Sequence, residues 1–460
     1  MWRRRDALET ATVCLAATVA GVTVMVPIDP VVAGAEFSSA WVDLAVFNVP
    51  RATTAAAFVT VLAAAFAVMM SAAFAWTTVT VFAMLLLTDQ LLWNSHLGSA
   101  AGLTYIDSLL AGTIMGIVGT LAWSRRATAS GFLFGALTGI LIGDFTPAPQ
   151  PGVPVSFVDR FLLDSPALPL GVLLVAAAMA CALANWYRSA PVRRLADVIP
   201  LRSIVSAGII FPTILLTSEW FARDGNDLLV QIVGVVLIVG ASLLAALALP
   251  GRDGMLLLLM VAFAAAGSTP TTLPRPDWAS ALFVVAIAAG LYTGYRRGLP
   301  LLAAAATAGL AVLSIVTALT GAHGTPLAVS SGLAVAFVGG YCLGAAAPLF
   351  PTVPALCLAV LFVPSAAVAL WGRDFERVAY SPAWYRATEP ARALAPGLVA
   401  LAITAGCAAA IALLYRLRPT SREAVRTRWA HLRTAAESIA TPTALIRPAR
   451  PLRPRRDALG

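Results

Sequence analysis

An all-helical, polytopic membrane protein is the fold class this sequence predicts, on three observations. Hydrophobic residues make up 60% of the 460-residue chain and charged residues 12%, with a mean hydropathy of +0.86. Apolar runs of roughly 17 to 25 residues recur from end to end, each long enough to cross the hydrocarbon core as a helix. No polar stretch between them is long enough for a folded soluble domain. Only helices and closed barrels satisfy their backbone groups in lipid, and the continuous runs lack the alternation of barrel strands.

The first run, Ala7 to Pro27, follows Arg3, Arg4 and Arg5. Glu9 and the many later spans favour an uncleaved first helix with those arginines inside. Ile28 to Pro50 carries Asp29, Glu36 and Asp43 and is expected outside. The stretch from Ala52 to Asn94 is too long for one crossing, so the pattern divides it near Ala75 to Thr78 and places Trp93 at the outer interface. Helix four starts near Tyr105, helix five ends at Asp144, and helix six covers Ala167 to Tyr187. Beyond an inner linker the remaining spans are Ser203–Trp220 with Pro212 as an expected kink, Leu228–Leu249, Met255–Ala266, Trp278–Tyr295, Leu299–Thr320, Leu327–Gly344, Val353–Trp371 and Ala395–Tyr415. That makes about fourteen transmembrane helices, within a range of roughly twelve to fourteen, and the Met255 and Val353 runs are the least regular.

The domain organisation follows: residues 1–187 as an N-terminal six-helix half, 188–202 as a basic cytoplasmic linker, 203–416 as a C-terminal half of about eight helices, and 417–460 as a basic cytoplasmic tail. Charge supports this layout. All 31 basic residues are arginine, and the fourteen-helix reading puts eight of them outside (Arg51, Arg160, Arg223, Arg275, Arg373, Arg377, Arg386, Arg392) and the other 23 inside. Both termini are therefore expected in the cytoplasm of a multi-pass plasma-membrane protein. Trp76, Trp93, Trp123, Trp186, Trp220, Trp278 and Trp371 fall at predicted helix ends, as an aromatic belt requires. The absence of lysine matches a GC-rich, bacterial genome, because arginine codons are GC-rich. In the tail, Thr420 and Glu423 fit a capping box and Val425, Trp429, Leu432, Ala436 and Ile439 share a helical face. After Thr441 proline and arginine dominate, so disorder beside anionic lipid headgroups is expected.

The stretch from Gly112 to Asp144 carries the strongest local pattern. Helix four holds Gly112, Gly116 and Gly119, Arg125 and Arg126 make a turn, and helix five places Gly131, Gly135, Gly139 and Gly143 four apart. Small residues at that spacing give a shallow face on which another backbone can lie closely. Leucine at Gly135 or Gly139 is accordingly expected to do more harm than Leu137→Ala. A second helix, Arg-Arg, helix pattern occurs at Arg296 and Arg297, with Gly290, Gly294 and Gly298 around it. The two turns fit a six-plus-six repeat with extra C-terminal helices.

Several chemistries are excluded or unsupported. Without lysine there is no P-loop lysine, no pyridoxal Schiff base and no Ser-x-x-Lys pair. His96, His323 and His431 are far apart, and no His-Glu-x-x-His or Cys-x-x-Cys occurs, so no metal, cofactor or nucleic-acid partner is expected. Cys14, Cys181, Cys342, Cys357 and Cys407 all lie in apolar runs as packing residues.

The richest polar group is Asp89, Gln90, Asn94, His96, Tyr105 and Asp107, across the end of helix three and the start of helix four. A carboxylate within a span costs about 2.5 to 3.5 kcal/mol, so Asp89 is expected to face protein or water and to couple a proton or ion. The competing reading keeps Asp89 at the interface below Trp93 with Asp107 as a helix cap. A second group, Thr217, Ser218, Glu219, Arg223 and Asp224, offers Glu219 as a coupling candidate or an ordinary local ion pair.

These residues favour a proton- or ion-coupled secondary transporter for a small or amphipathic solute over an enzyme, and leave the enzyme question open. The six-plus-remainder layout and glycine-rich helix five resemble the major facilitator superfamily. The family's Gly-x-x-x-Asp-Arg-x-Gly-Arg signature is missing between helices two and three, and only Pro250-Gly251-Arg252-Asp253-Gly254 is similar to it. Helix five also lacks the proline of the antiporter motif, so no residue role is carried over. The alternatives are a membrane glycosyltransferase using a lipid-linked sugar donor, with Asp29, Glu36 or Asp43 as base or metal ligand, and a non-catalytic cell-envelope assembly protein.

Overall fold

Among the described residues the chain's long apolar runs form fourteen helices. In the computed structural model they are α1 (Trp2–Met25), α2 (Val49–Ala67), α3 (Ala72–Trp93), α4 (Ala100–Ala122), α5 (Arg126–Phe145), α6 (Leu168–Asn185), α7 (Leu201–Asp224), α8 (Leu228–Ala248), α9 (Asp253–Gly267), α10 (Ala279–Arg296), α11 (Pro300–Thr320), α12 (Thr325–Ala345), α13 (Thr352–Ala369) and α14 (Ala395–Leu417). The structure describes residues 2–25, 49–93, 100–145, 168–186, 200–225, 227–272, 276, 278–321, 324–346, 348, 350–370 and 394–418, and no strand occurs among them. Twelve of these helices are long and apolar enough to cross a membrane, and α6 and α9 are shorter apolar helices. Leucine, valine and phenylalanine side chains such as Phe66, Phe74, Leu183, Leu228, Val236 and Val285 are exposed on the outside of the bundle, where a bilayer supplies the apolar solvent. Helix hydroxyls are satisfied locally: Thr12, Thr23, Thr113 and Thr404 each donate to the carbonyl four residues back.

Three helix pairs are held by glycine. A Cβ at Gly135 would lie 2.3 Å from the Cys14 carbonyl oxygen, and one at Gly139 would lie 2.2 Å from that of Thr18, so α5 lies backbone to backbone on α1. Gly131 meets Thr10 at the same interface, Gly143 is buried, and Thr18 adds a hydrogen bond to the Gly135 carbonyl at 3.1 Å. Gly112 and Gly116 bring α4 onto α2 at Ala56 and Thr60, where Thr60 donates to the Gly112 carbonyl at 3.0 Å. Gly290 and Gly294 of α10 face Phe337, Tyr341 and Gly344 of α12. Small residues permit these approaches, and van der Waals contact along the seam supplies the attraction that hydrophobicity cannot supply between helices in lipid.

The pairing order recurs along the chain. In the first six helices α1 packs on α5, α2 on α4 and α3 on α6. In the last six α9 packs on α13, α10 on α12, and α11 on α14, the last through Gly397 against Ile315. Between the two sets α7 and α8 pack on each other. The Arg125–Arg126 turn therefore joins α4 to α5, the first set's counterparts of α12 and α13, whereas Arg296–Arg297 joins α10 to α11. The two arginine turns occupy different steps of the pairing, because the two additional helices lie between the sets instead of after them.

Two sequence expectations need correction. The turn between α2 and α3 lies at residues 68–71, ahead of the expected Ala75 to Thr78, because the Ser71 hydroxyl accepts from the Phe74 amide at 3.2 Å and caps α3. Trp76 consequently sits a turn inside α3 and is 3% exposed, so it is a core residue and not part of an interfacial belt. Leu137, expected to tolerate truncation, is fully buried. The amphipathic tail, the first loop carboxylates, Asn94 and His96 lie outside the described residues.

Contacts define the two ends of the bundle. At the arginine end Trp123 Nε1 donates to the Pro348 carbonyl at 3.3 Å, and Tyr341 donates to the Arg297 carbonyl at 3.0 Å. Asp253 is buried there and accepts from the Phe350 amide at 3.2 Å, which ties the start of α9 to the approach to α13. At the opposite end Phe145 of α5 meets Phe283 of α10 edge-on, with ring centroids 5.2 Å apart.

Candidate functional site

The least regular apolar runs of the sequence, α9 and α13, occupy the middle of the bundle. Every residue of α9 except Ala264 is buried, so a helix that is apolar all round has protein on all sides. α13 is α-helical over Thr352–Ala359, tightens to a 3₁₀ turn at Val360–Phe362, is extended at Val363 and Ser365 around Pro364, and resumes for one turn at Ala366–Ala369. Pro364 supplies no N–H and disfavours helix at Val363, which accounts for the break. Non-helical backbone at membrane depth persists only where it is buried in protein or lines a cavity.

This break lines a cavity of about 60 Å³. Its walls come from both six-helix sets: Met25 of α1, Pro50 of α2 and Ile140 and Leu141 of α5 on one side, Phe263 of α9, Val335 of α12 and Val363 of α13 on the other. The polar lining is Asp144, Ser218, Ser268 and Ser365. Asp144 is 9% exposed at the end of α5. Ser218 donates to the Leu215 carbonyl at 2.7 Å within α7, and the Ser268 hydroxyl lies 2.9 Å from the Ala264 carbonyl oxygen and 2.8 Å from Ser365 Oγ. All of these groups belong to the compact unit Met1–Leu414.

The sequence-predicted residues fall near the same end but form a separate group. α3 packs on α4, and the Asp89 and Asp107 carboxyls come within hydrogen-bond reach of each other. Asp107 Oδ1 is buried with no hydrogen-bond partner among the described residues, which is not the environment of a solvated helix cap. The backbone of Gln90 is in α3, its side chain is outside the described set, and Asn94 is outside altogether. Tyr105 lies within electrostatic reach of Arg51.

Glu219 pairs across the fold. Arg51 Nε at the start of α2 lies 3.2 Å from Glu219 Oε1, and the glutamate side chain is 13% exposed. Arg223, one turn along α7, was the expected local partner; Glu219 turns instead toward α2, against which α7 packs. The arginine is half exposed, so such a pair contributes no more than about 1 kcal/mol to stability.

Sequence reasoning missed two features. Asp144 ends an obvious glycine helix, so it read as a terminus, and only the fold turns it toward α9 and α13. Glu9 read as evidence against cleavage; the fold makes it a hub at the arginine end. It accepts from Arg5 at 3.1 Å and from Asn185 Nδ2 at 3.1 Å, with Arg125 3.4 Å away, while Arg125 also donates to Asp6 and Arg5 to Asn185. α1, the turn before α5 and the end of α6 are thereby tied together by two carboxylates, two guanidiniums and an amide. The signal was available as three charges inside a span that can afford few. No group of three or more metal-ligating residues occurs among the described residues.

No protein-family model matches the chain, and no curated protein matches it. Among solved structures it is similar to the POT family transporter PepTSo at 12% identity and a TM-score of 0.48, covering 90% of this chain and 98% of that one. It is also similar to an auto-inhibited POT family peptide transporter at 14% identity and a TM-score of 0.47, covering 91% and 98%. The human organic anion transporter MFSD10 (TETRAN) gives 14% identity, a TM-score of 0.41 and coverage of 86% and 99%. These likenesses are weak in sequence and in superposition, and neither activity nor site follows from them.

Proposed function

We propose that this chain is a secondary transporter, proton- or ion-coupled, for a small or amphipathic solute that passes through the cavity between the two six-helix sets, α1–α6 and α9–α14, with α7 and α8 inserted between them. The observation that carries the reading is the cavity itself, walled by both sets and by a broken membrane-length helix. Discontinuous helices near the middle of a bundle are where transporters hold solutes and ions, because unwound backbone offers polar groups that a continuous helix has already used. Contacts between the sets occur at both ends, through Trp123 and Pro348 at one and Phe145 and Phe283 at the other. Alternating access needs such contacts to form and break in turn.

Asp89 is assigned the coupling role, with Asp107 as its partner. Asp89 and Asp107 stand on two packed helices, α3 and α4, and moving one helix against the other changes the access of both carboxyls to water. Purified protein in proteoliposomes tests the assignment: Asp89→Asn abolishes gradient-driven accumulation while solute exchange across the bilayer persists. Undiminished concentrative uptake in that variant removes the assigned role.

A further inference from the structure

We infer that the halves of α7 and α13 remote from the arginine end, beyond Pro212 and Pro364, form a jointed flap on one side of the central cavity, latched to α2 by Arg51 and Glu219. The flap controls access to the cavity, and its role rests on the transport reading above.

α7 and α13 lie side by side, in contact at both ends. Ser203 Oγ, in the first turn of α7, is 2.9 Å from Thr352 Oγ1, in the first turn of α13, and both side chains are buried. At the other end a Cβ at Gly225 would lie 2.7 Å from Leu370 Cδ2, and Ala366–Ala369 packs on α7.

Each helix is interrupted between these points. Pro364 breaks α13. Pro212 offers no N–H to the Gly208 carbonyl, and a Cβ at Gly208 would meet nothing within 4 Å, so α7 is short of a backbone bond where nothing presses on it. The two interruptions meet at a second cavity of about 20 Å³, lined by Ile214 of α7 and by Val360, Val363 and Pro364 of α13, with Ile238, Val261 and Ile403 around them. Empty space beside both joints lets side chains shift without overpacking.

Beyond its joint α7 meets α2, where Glu219 pairs with Arg51. The neighbours of that pair, Ser218 and Pro50, line the central cavity, so parting α7 from α2 here opens the cavity sideways. Phe211, at the joint, sits edge-on against Phe58 of α2 with ring centroids 5.2 Å apart and gives the motion a pivot. Arg51 has a further interaction within the protein, so Glu219 is the half of the latch that a substitution removes alone.

Maleimide labelling of Leu141→Cys, a buried lining position on the first set, tests this in the purified, detergent-solubilised full-length protein, with the labelled site located by mass spectrometry. In that background Glu219→Gln is expected to speed labelling about two- to fivefold, the range in which an ion pair of this exposure acts. Pro212→Ala added to it is expected to bring the rate back toward the parent's, because alanine restores the bond to Gly208. Ser203→Ala, at the far end of α7, is expected to leave the rate unchanged. Labelling no faster in Glu219→Gln than in the parent, or as fast in Ser203→Ala as in Glu219→Gln, overturns the inference. If Glu219→Gln does not fold, Pro212→Ala alone decides: slower labelling than the parent's is expected, and an unchanged rate overturns the flap. Faster labelling in Glu219→Gln of a protein that moves no solute in proteoliposomes would leave the flap standing and remove the transport reading; solute flux with unchanged labelling would do the reverse.

Discussion

Gly139→Ala adds one methyl group where the fold has no room for it. The new Cβ would stand 2.2 Å from the Thr18 carbonyl oxygen and 3.0 Å from its carbonyl carbon and Cα, against the 3.4 Å at which ordinary contact begins. Both neighbours are backbone, so no side chain can rotate away. α1 and α5 must separate by about 1 Å, which forfeits part of the dispersion along the whole seam. Overpacking of this kind costs about 1 to 3 kcal/mol. Alanine's helix propensity returns about 1 kcal/mol, so the net loss is up to about 2 kcal/mol. Gly208→Ala is the matched control, because nothing lies within 4 Å of its added Cβ and only the propensity gain remains. Thermal unfolding in detergent is the assay: Gly139→Ala is expected to melt lower than the parent and Gly208→Ala at or above it. A Gly139→Ala protein as stable as Gly208→Ala would refute backbone contact between α1 and α5. Leu137→Ala is no mild control, since truncating a fully buried leucine costs about 2 to 5 kcal/mol.

Further outcomes are expected elsewhere. Glu219→Arg and Arg51→Glu should each slow transport with little effect on stability, and the double exchange should restore the rate; a double variant no better than either single one would separate Glu219 from Arg51. Asp107→Asn should impair coupling nearly as much as Asp89→Asn, because the two carboxyls are neighbours on packed helices, and an unaffected Asp107→Asn protein would leave that residue no part in coupling. A reporter fused after Arg418 should be cytoplasmic, as the arginine distribution requires. Phosphatase activity there, or labelling of Ala127→Cys by an impermeant reagent from outside, would invert the topology.

Helix number and extent were legible because hydropathy is a local property and the bilayer sets one length scale. The runs from Leu228, Leu299 and Ala395 match α8, α11 and α14 to within about two residues. Legibility was poorest at α9 and α13, one short and one broken at Pro364, and both contribute to the cavity wall. The glycine spacing of α5 pointed to close packing, yet only the fold identifies α1 as its partner. Juxtapositions across sequence were invisible: Arg51 with Glu219, Asp89 beside Asp107, and Asp144 lining one cavity with the break in α13 each depend on topology. The arginine turns misled about the repeat because a pair of arginines at a helix turn follows from orientation in the membrane alone, whatever the pairing of the helices it joins.

The most direct test of the central claim is flux. Proteoliposomes containing the parent protein would be given an inward proton gradient and offered radiolabelled propylammonium, propionate and propanediol at equal concentration, with an ionophore control that collapses the gradient. The account predicts saturable, gradient-dependent movement of at least one of the three that is lost in Asp89→Asn. Folded protein that moves none of the three, or that transfers sugar from a lipid-linked donor and loses this on substitution of Asp29 or Asp43, would contradict it.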